Sequence, residues 1–180
     1  MKKIKILSIL LLLMLTVSVS CGCLPTDNKT PFDVFSGDFT ATLDAEINGT
    51  MLGLICQRQG GVTEITLTSP DSVSGYSFST DADKTVIRYG GIESTAQGRA
   101  TFLPELIAEL FSKTADQITE ISSEKTENCT LTLVKTPSVS FRFNEKGLPT
   151  HADGIINGSN VKIAFKSFSL TPQAEGSKTE

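Results

Sequence analysis

The chain of 180 residues has no tryptophan, two tyrosines and one histidine, His151. A single histidine cannot build a multi-histidine metal site. Flanked by Pro149 and Asp153 on a predicted strand, it reads as a surface or half-buried side chain rather than a base. Positive charge is also scarce outside the first five residues, which hold Lys2, Lys3 and Lys5. Residues 21–180 carry 13 cations against 20 acids, a formal charge of −7. That balance argues against a nucleic-acid partner, which requires clustered Lys and Arg, and it supplies no polybasic patch for a membrane surface. No nucleophile–base or carboxylate-pair motif can be assembled, so neither an enzyme nor a cofactor is expected. Gly60-Gly61 and Gly90-Gly91 lack the lysine or helix of a phosphate loop and read as turns. Asp81/Asp83 and Glu120/Glu124 lack EF-hand spacing and read as solvated faces, so no metal is expected.

Long apolar runs are missing as well. The longest, from Ile6 to Val19, spans fourteen positions and is broken by Ser8, Thr16 and Ser18. It falls short of the roughly twenty apolar residues of a bilayer span but suits the core of a signal peptide behind a basic start. Ser18-Val19-Ser20 then closes the segment ahead of Cys21. This resembles the lipobox of bacterial lipoproteins, in which the cysteine after a small residue is acylated and becomes the mature N-terminus. Ser18 stands where a leucine is usual. The resemblance implies a leader over 1–20, a lipid anchor at Cys21 and an extracytoplasmic, membrane-attached protein. A plain secretory signal or an uncleaved anchor are the alternatives, and Cys23 is a rival for the modified position. Residues 21–31, with Pro25, Pro31 and several small polar residues, read as a flexible tether, and 172–180 as a disordered tail. One domain over 32–171 remains.

Within that domain the pattern is period two. Phe39, Ala41, Leu43, Ala45 and Ile47 fall on one face of a strand and Asp38, Thr40, Thr42, Asp44 and Glu46 on the other. Asn48-Gly49 is a hairpin turn signal, and Asn157-Gly158 a second. Further strands are expected at 51–58, 63–68, 75–80, 84–89, 118–122, 128–134 (Cys129, Leu131 and Leu133 inward), 138–144, 148–152 and 160–170. Only 102–112 has a helical spacing, with Leu106, Ile107, Leu110 and Phe111 on one side and Pro104 and Glu105 in the first turn. The expectation is a mainly β (α+β) protein: nine or ten antiparallel strands in a curved half-barrel sheet, with one clear helix packed in its concave face.

This order of elements is similar to the Lol-type lipoprotein carriers (LolA and LolB) and related lipid-binding lipoproteins. Three stretches carry the resemblance: Ile65 to Pro70 followed by Gly75 to Phe78, the helix at 102–112 inserted mid-sheet, and Phe141-Arg142-Phe143-Asn144-Glu145-Lys146-Gly147-Leu148-Pro149-Thr150. It implies an unclosed barrel whose apolar space, between sheet and helix, holds a lipid acyl chain or a lipoprotein's lipid, the protein acting as a monomer. The chain departs from that family in having no tryptophan, one helix where the family has more, and only Phe32-Asp33-Val34-Phe35 in place of the N-terminal helix. A smaller lid implies a smaller or shallower cavity.

Candidate groove residues are Leu54, Ile65, Leu67, Phe78, Leu131, Phe141, Phe143 and Phe165 from the sheet with Leu106, Ile107, Leu110 and Phe111 from the helix. The same side chains are what a domain of this size must bury to fold. Two function classes stay open: a hydrophobic-ligand carrier, and a surface lipoprotein that uses the sheet as a protein-interaction or envelope-structural module. An extracytoplasmic setting permits a Cys56–Cys129 disulfide; the alternative is two small buried hydrophobes.

Overall fold

The computed structural model describes residues 30–81, 84–97, 102–126 and 129–171. The expected leader over 1–20, Cys21 and the expected tail from 172 lie outside them. After a 3₁₀ turn at Pro31–Phe35 come β1 (Phe39–Ile47), β2 (Thr50–Gln59), β3 (Val62–Ser69), β4 (Ser77–Asp81), β5 (Lys84–Tyr89) and β6 (Ile92–Gln97). Helix α1 (Phe102–Phe111) and a short 3₁₀ turn (Ala115–Gln117) lead to β7 (Glu120–Lys125), β8 (Thr130–Lys135), β9 (Val139–Phe143), β10 (Pro149–Ile156) and β11 (Ser159–Leu170). All eleven strands form one curved, open antiparallel sheet in the order β6-β5-β4-β3-β2-β1-β11-β10-β9-β8-β7. The first and last strands therefore pair at its centre. Two meanders run outward from them, and α1 is the only connection between the two edges. It has to cross the face, which is why it lies in the concavity.

The expected half-barrel with one helix is present. One strand was missed: β6 has a single large apolar residue, Ile92, so it offers no alternation to read. The β1–β2 and β10–β11 hairpins turn on Asn48-Gly49 and Asn157-Gly158, all with positive φ, as a two-residue turn of this twist requires. These tips are tied side by side. Asn48 N–H donates to the Asn160 carbonyl at 2.9 Å, and Asn160 N–H donates to Asn48 Oδ1 at 2.9 Å.

Strand parity settles which side chains face inward. Phe39, Ala41, Leu43, Ala45 and Ile47 are all buried on the concave side. They are joined by Leu54 and Cys56, Ile65 and Leu67, Val139, Phe141 and Phe143, and Val161 and Ile163. In β11 the pairing shifts between Thr42/Leu43 of β1, so that Thr42 meets Ser167 while Leu43 meets Phe165. Lys166 is the extra residue, a bulge that brings Phe168 inward three positions after Phe165.

Phenylalanine dominates the centre of this core. Eight of the ten in the chain form one network of ring contacts: Phe32, Phe35, Phe39, Phe111, Phe141, Phe143, Phe165 and Phe168. Phe35 is its hub, with ring centroids 5.1 Å from Phe111 and 5.8 Å from both Phe141 and Phe168. The 3₁₀ turn that carries it is fixed at its start by two bonds from Thr30, whose N–H and Oγ1 donate to the Asp33 carboxylate at 2.8 and 2.9 Å. Its end is held by Arg58 Nη1, which donates to the Phe35 carbonyl at 3.0 Å. A one-turn segment thus closes the centre of the concave face. Phe35→Ala should lower stability by about 3–5 kcal/mol, the range for emptying a buried aromatic site. The check is a urea midpoint shift at unchanged slope; a cost below about 1 kcal/mol would mean that this turn does not pack as described.

Candidate functional site

The face beneath α1 is built from cross-strand rows. One row reads Ala41, Cys56, Ile65, Phe78, Ile87 and Ser94 across β1 to β6. The next reads Leu43, Leu54 and Leu67, and is continued by Tyr76, just ahead of β4, to Tyr89 and Ile92. Exposure rises along both. Leu54 and Ile65 are fully enclosed, Phe78 and Tyr76 are half-buried, and at the β5–β6 tip Tyr89 is 45% and Ile92 73% exposed. The Tyr76 and Tyr89 rings stack face to face, centroids 4.0 Å apart and 6° from parallel. The result is an apolar track that begins in the core under α1 and ends on an open wing.

Most groove candidates fall on this concave face. Leu54, Ile65, Leu67, Leu106, Ile107, Leu110, Phe111, Phe141 and Phe143 are buried in one cluster, and Phe78 and Phe165 pack against it half-buried. These residues are core first, and only Phe78 belongs to the open stretch of the track. Leu131 does not belong at all. Phe141 pairs with Val134 and Arg142 with Leu133, so Val134 and Thr132 point inward while Leu131 and Leu133 lie on the convex side. The expected phase of β8 is one residue off because both faces of that strand carry aliphatic side chains, and a slip of one exchanges the faces. Sequence reasoning also missed Tyr76, Ile87, Tyr89 and Ile92. For Ile87 the parity of β5 was an available signal; for Ile92 nothing local marks a strand.

The cysteines do not pair. Cys56 is buried on β2 and Cys129 is exposed ahead of β8, both free, with β1, β11, β10 and β9 between their strands. Burial pushes the Cys56 thiol up to about 12, against a weaker opposing pull from the Arg58 charge, so it stays an inert small hydrophobe. The buried-hydrophobe alternative thus describes Cys56 but not Cys129.

His151 is exposed on the convex side, at the rim of a depression of about 410 Å³ with Asp44, Glu46, Met51, Arg142 and Lys162. Ion pairs occupy that surface: Arg142 with Asp153 at 2.6 Å and Glu124 at 2.9 Å, Lys162 with Glu46 at 3.2 Å, Lys166 with Asp44 at 2.7 Å. Glu120, of the acidic pairs, is bound to Lys135 at 2.9 Å. Such half-exposed pairs contribute little each and form a polar skin. Among the described residues no three His, Cys, Asp or Glu side chains converge as a metal site, and no helix is long and apolar enough to cross a membrane.

No protein-family model matches the chain, and no curated protein matches it in sequence. Solved structures do share its shape. An uncharacterized conserved protein from Thermus thermophilus superposes with a TM-score of 0.53 at 8% identity, over 79% of this chain and 84% of that one. The open half-barrel is a shared fold. At that identity the likeness speaks for fold alone. Lipoprotein LppX of Mycobacterium tuberculosis reaches a TM-score of 0.47 at 10% identity over 79% of this chain and 93% of its own. A LolA superfamily protein of Nitrosomonas europaea reaches 0.41 at 8% identity, over 81% and 95%. These two are more distant and carry no argument about the site.

The two described cysteines give a direct check of sheet order. A maleimide in native buffer should modify Cys129 and spare Cys56 until denaturant is added, as read by peptide mapping. A Cys56–Cys129 cross-linked peptide from a non-reducing digest would contradict the strand arrangement.

Proposed function

We propose that the chain is an extracytoplasmic lipoprotein, held to its membrane through Cys21, that binds a hydrophobic ligand such as a lipid acyl chain as a monomer. The observation that carries this reading is the continuity of the concave apolar track, from enclosed Leu54 and Ile65 to open Tyr89 and Ile92. A ligand laid along that path would cover apolar side chains that the edge of the sheet leaves open. Affinity would come from apolar burial, with no covalent step. The lipobox-like leader and the tether over 21–31 support the placement at a membrane, and the likeness to Lol-type carriers in element order supports the ligand class.

A second reading has its own observation. Leu106, Ile107 and Leu110 are fully buried against the sheet, so the free part of the face lies toward its edges, the β4–β6 wing with Tyr89 and Ile92 and, at the other edge, Ile121 of β7. A wing of that kind can dock a protein, making the chain an anchored interaction module.

Uptake of a fluorescent lipid separates the two. The protein should bind such a probe, and Tyr89→Asp and Ile92→Asp should each weaken binding by about tenfold, the scale of one large apolar contact, at an unchanged thermal midpoint. Absence of probe uptake, together with absence of lipid in native mass spectra of protein from its own host, would remove the carrier reading and leave the docking one. For the anchor, Cys21→Ala should move the chain from the membrane to the soluble fraction and abolish palmitate incorporation. Continued palmitate labelling of that variant would transfer the anchor to Cys23.

A further inference from the structure

One row of the concave face is polar where its neighbours are apolar. Arg58 of β2 pairs with Thr63 of β3, Thr63 with Thr80 of β4, and Thr80 with Thr85 of β5. All four share the parity of Cys56, Ile65, Phe78 and Ile87, so they belong to the inner face, one pair-step farther from the β5–β6 tip. At the usual inter-strand spacing the row spans about 14 Å. Thr85 is buried, and Thr63 and Thr80 are half-buried.

A rail of threonines across neighbouring strands has an ordinary structural role when the hydroxyls bond to each other. Here Thr80 breaks that pattern. Its Oγ1 is shielded from solvent and has no hydrogen-bond partner among the described residues. A buried hydroxyl left without a hydrogen bond costs about 1–3 kcal/mol, so its presence calls for a partner that the described residues do not supply. Arg58, at the head of the row, commits one N–H to the Phe35 carbonyl, and a guanidinium has five.

We infer that this row is the polar end of the ligand site: it takes the oxyanion head of a single-chain lipid, a carboxylate or a phosphate, while the chain runs along the apolar track toward Tyr89 and Ile92. Tyr89 lies four positions beyond Thr85, about 13 Å of strand, so head and chain fit one path. Thr80 donates its hydroxyl proton to the head and Arg58 supplies the opposite charge. A charge-assisted bond of this kind is the strong type. This inference rests on the hydrophobic-ligand reading and specifies its ligand class.

The test uses the full chain and three probes with the same chain length: dodecylpyrene, pyrenedodecanoic acid and pyrenedodecyl phosphate. One or both acids should bind at least tenfold more tightly than the hydrocarbon, and the tighter of the two identifies the head. Thr80→Val should reduce that preference by about tenfold and not lower the thermal midpoint, since it deletes a hydroxyl with no partner among the described residues. Arg58→Gln should weaken the acids in the same selective way. If the hydrocarbon binds and the acids gain nothing, or if Thr80→Val keeps the preference, the polar-end assignment falls and the carrier reading stands. If none of the probes binds, the carrier reading itself falls and takes the assignment with it.

Discussion

The governing constraint is a mismatch of areas. Helix α1 has ten residues and is therefore about 15 Å long. The sheet it must cover is eleven strands wide, ten spacings of about 4.8 Å along its arc. Curvature shortens the gap but cannot close it, because an unclosed sheet keeps two free edges. The chain meets the deficit with volume. Phe32 and Phe35 enter from the 3₁₀ turn, Phe168 is brought in by the β11 bulge, and five more phenylalanines fill the centre. What these leave open lies at the edges: Tyr89 and Ile92 at the β5–β6 tip, and Ile121 on β7. The apolar track is therefore a consequence of the fold's own geometry, and the wing is a place where a second molecule can complete the burial.

Topology explains why the deficit falls at the edges. Pairing β1 with β11 puts both ends of the domain at the middle of the sheet and both edges at the middle of the sequence. The connection between edges is then obliged to traverse the concavity, so helix and wing come from adjacent sequence. The convex face has no such problem. Its rows carry Asp44, Glu46, Arg142, Asp153 and Lys162, charges that remain solvated while they pair. These charges thus sit where solvent can screen them, away from the apolar rows.

Much of this was legible in the sequence, and the exceptions have identifiable causes. Strands with one clearly apolar face, such as β1 and β9, announce both their extent and their orientation. The helix announces itself by spacing and by Pro104 and Glu105 in its first turn. Strand β8 announces only its extent, because Leu131, Leu133 and Val134 put aliphatic groups on both faces and its phase depends on the neighbour it pairs with. Strand β6 announces nothing, since a strand on an open wing needs no buried residue to exist. The Phe168 position depends on a bulge, which by construction breaks the period from which orientation is read. Whether Cys56 and Cys129 can meet is a question of strand order, to which local pattern is blind. For the groove, apolar type and parity identified the inner face but could not separate the side chains that α1 covers from those it leaves open.

The threonine row shows the converse, a signal that was present but read too coarsely. In each of β3, β4 and β5 a threonine sits two positions from an inward hydrophobe: Thr63 from Ile65, Thr80 from Phe78, Thr85 from Ile87. Taken strand by strand, each is an unremarkable end residue, since a polar side chain near a strand terminus usually reaches solvent. Only the register places the three in one line with Arg58, and only burial of the Thr80 hydroxyl makes that line costly to the folded chain alone. A strand can tolerate one polar residue in an apolar parity at its frayed end. Three in adjacent strands, one of them with a buried hydroxyl that has no partner among the described residues, impose a shared desolvation cost. The chemical identity of a ligand is in this sense better read from the polar exceptions on the inner face than from its apolar majority, which any core would display.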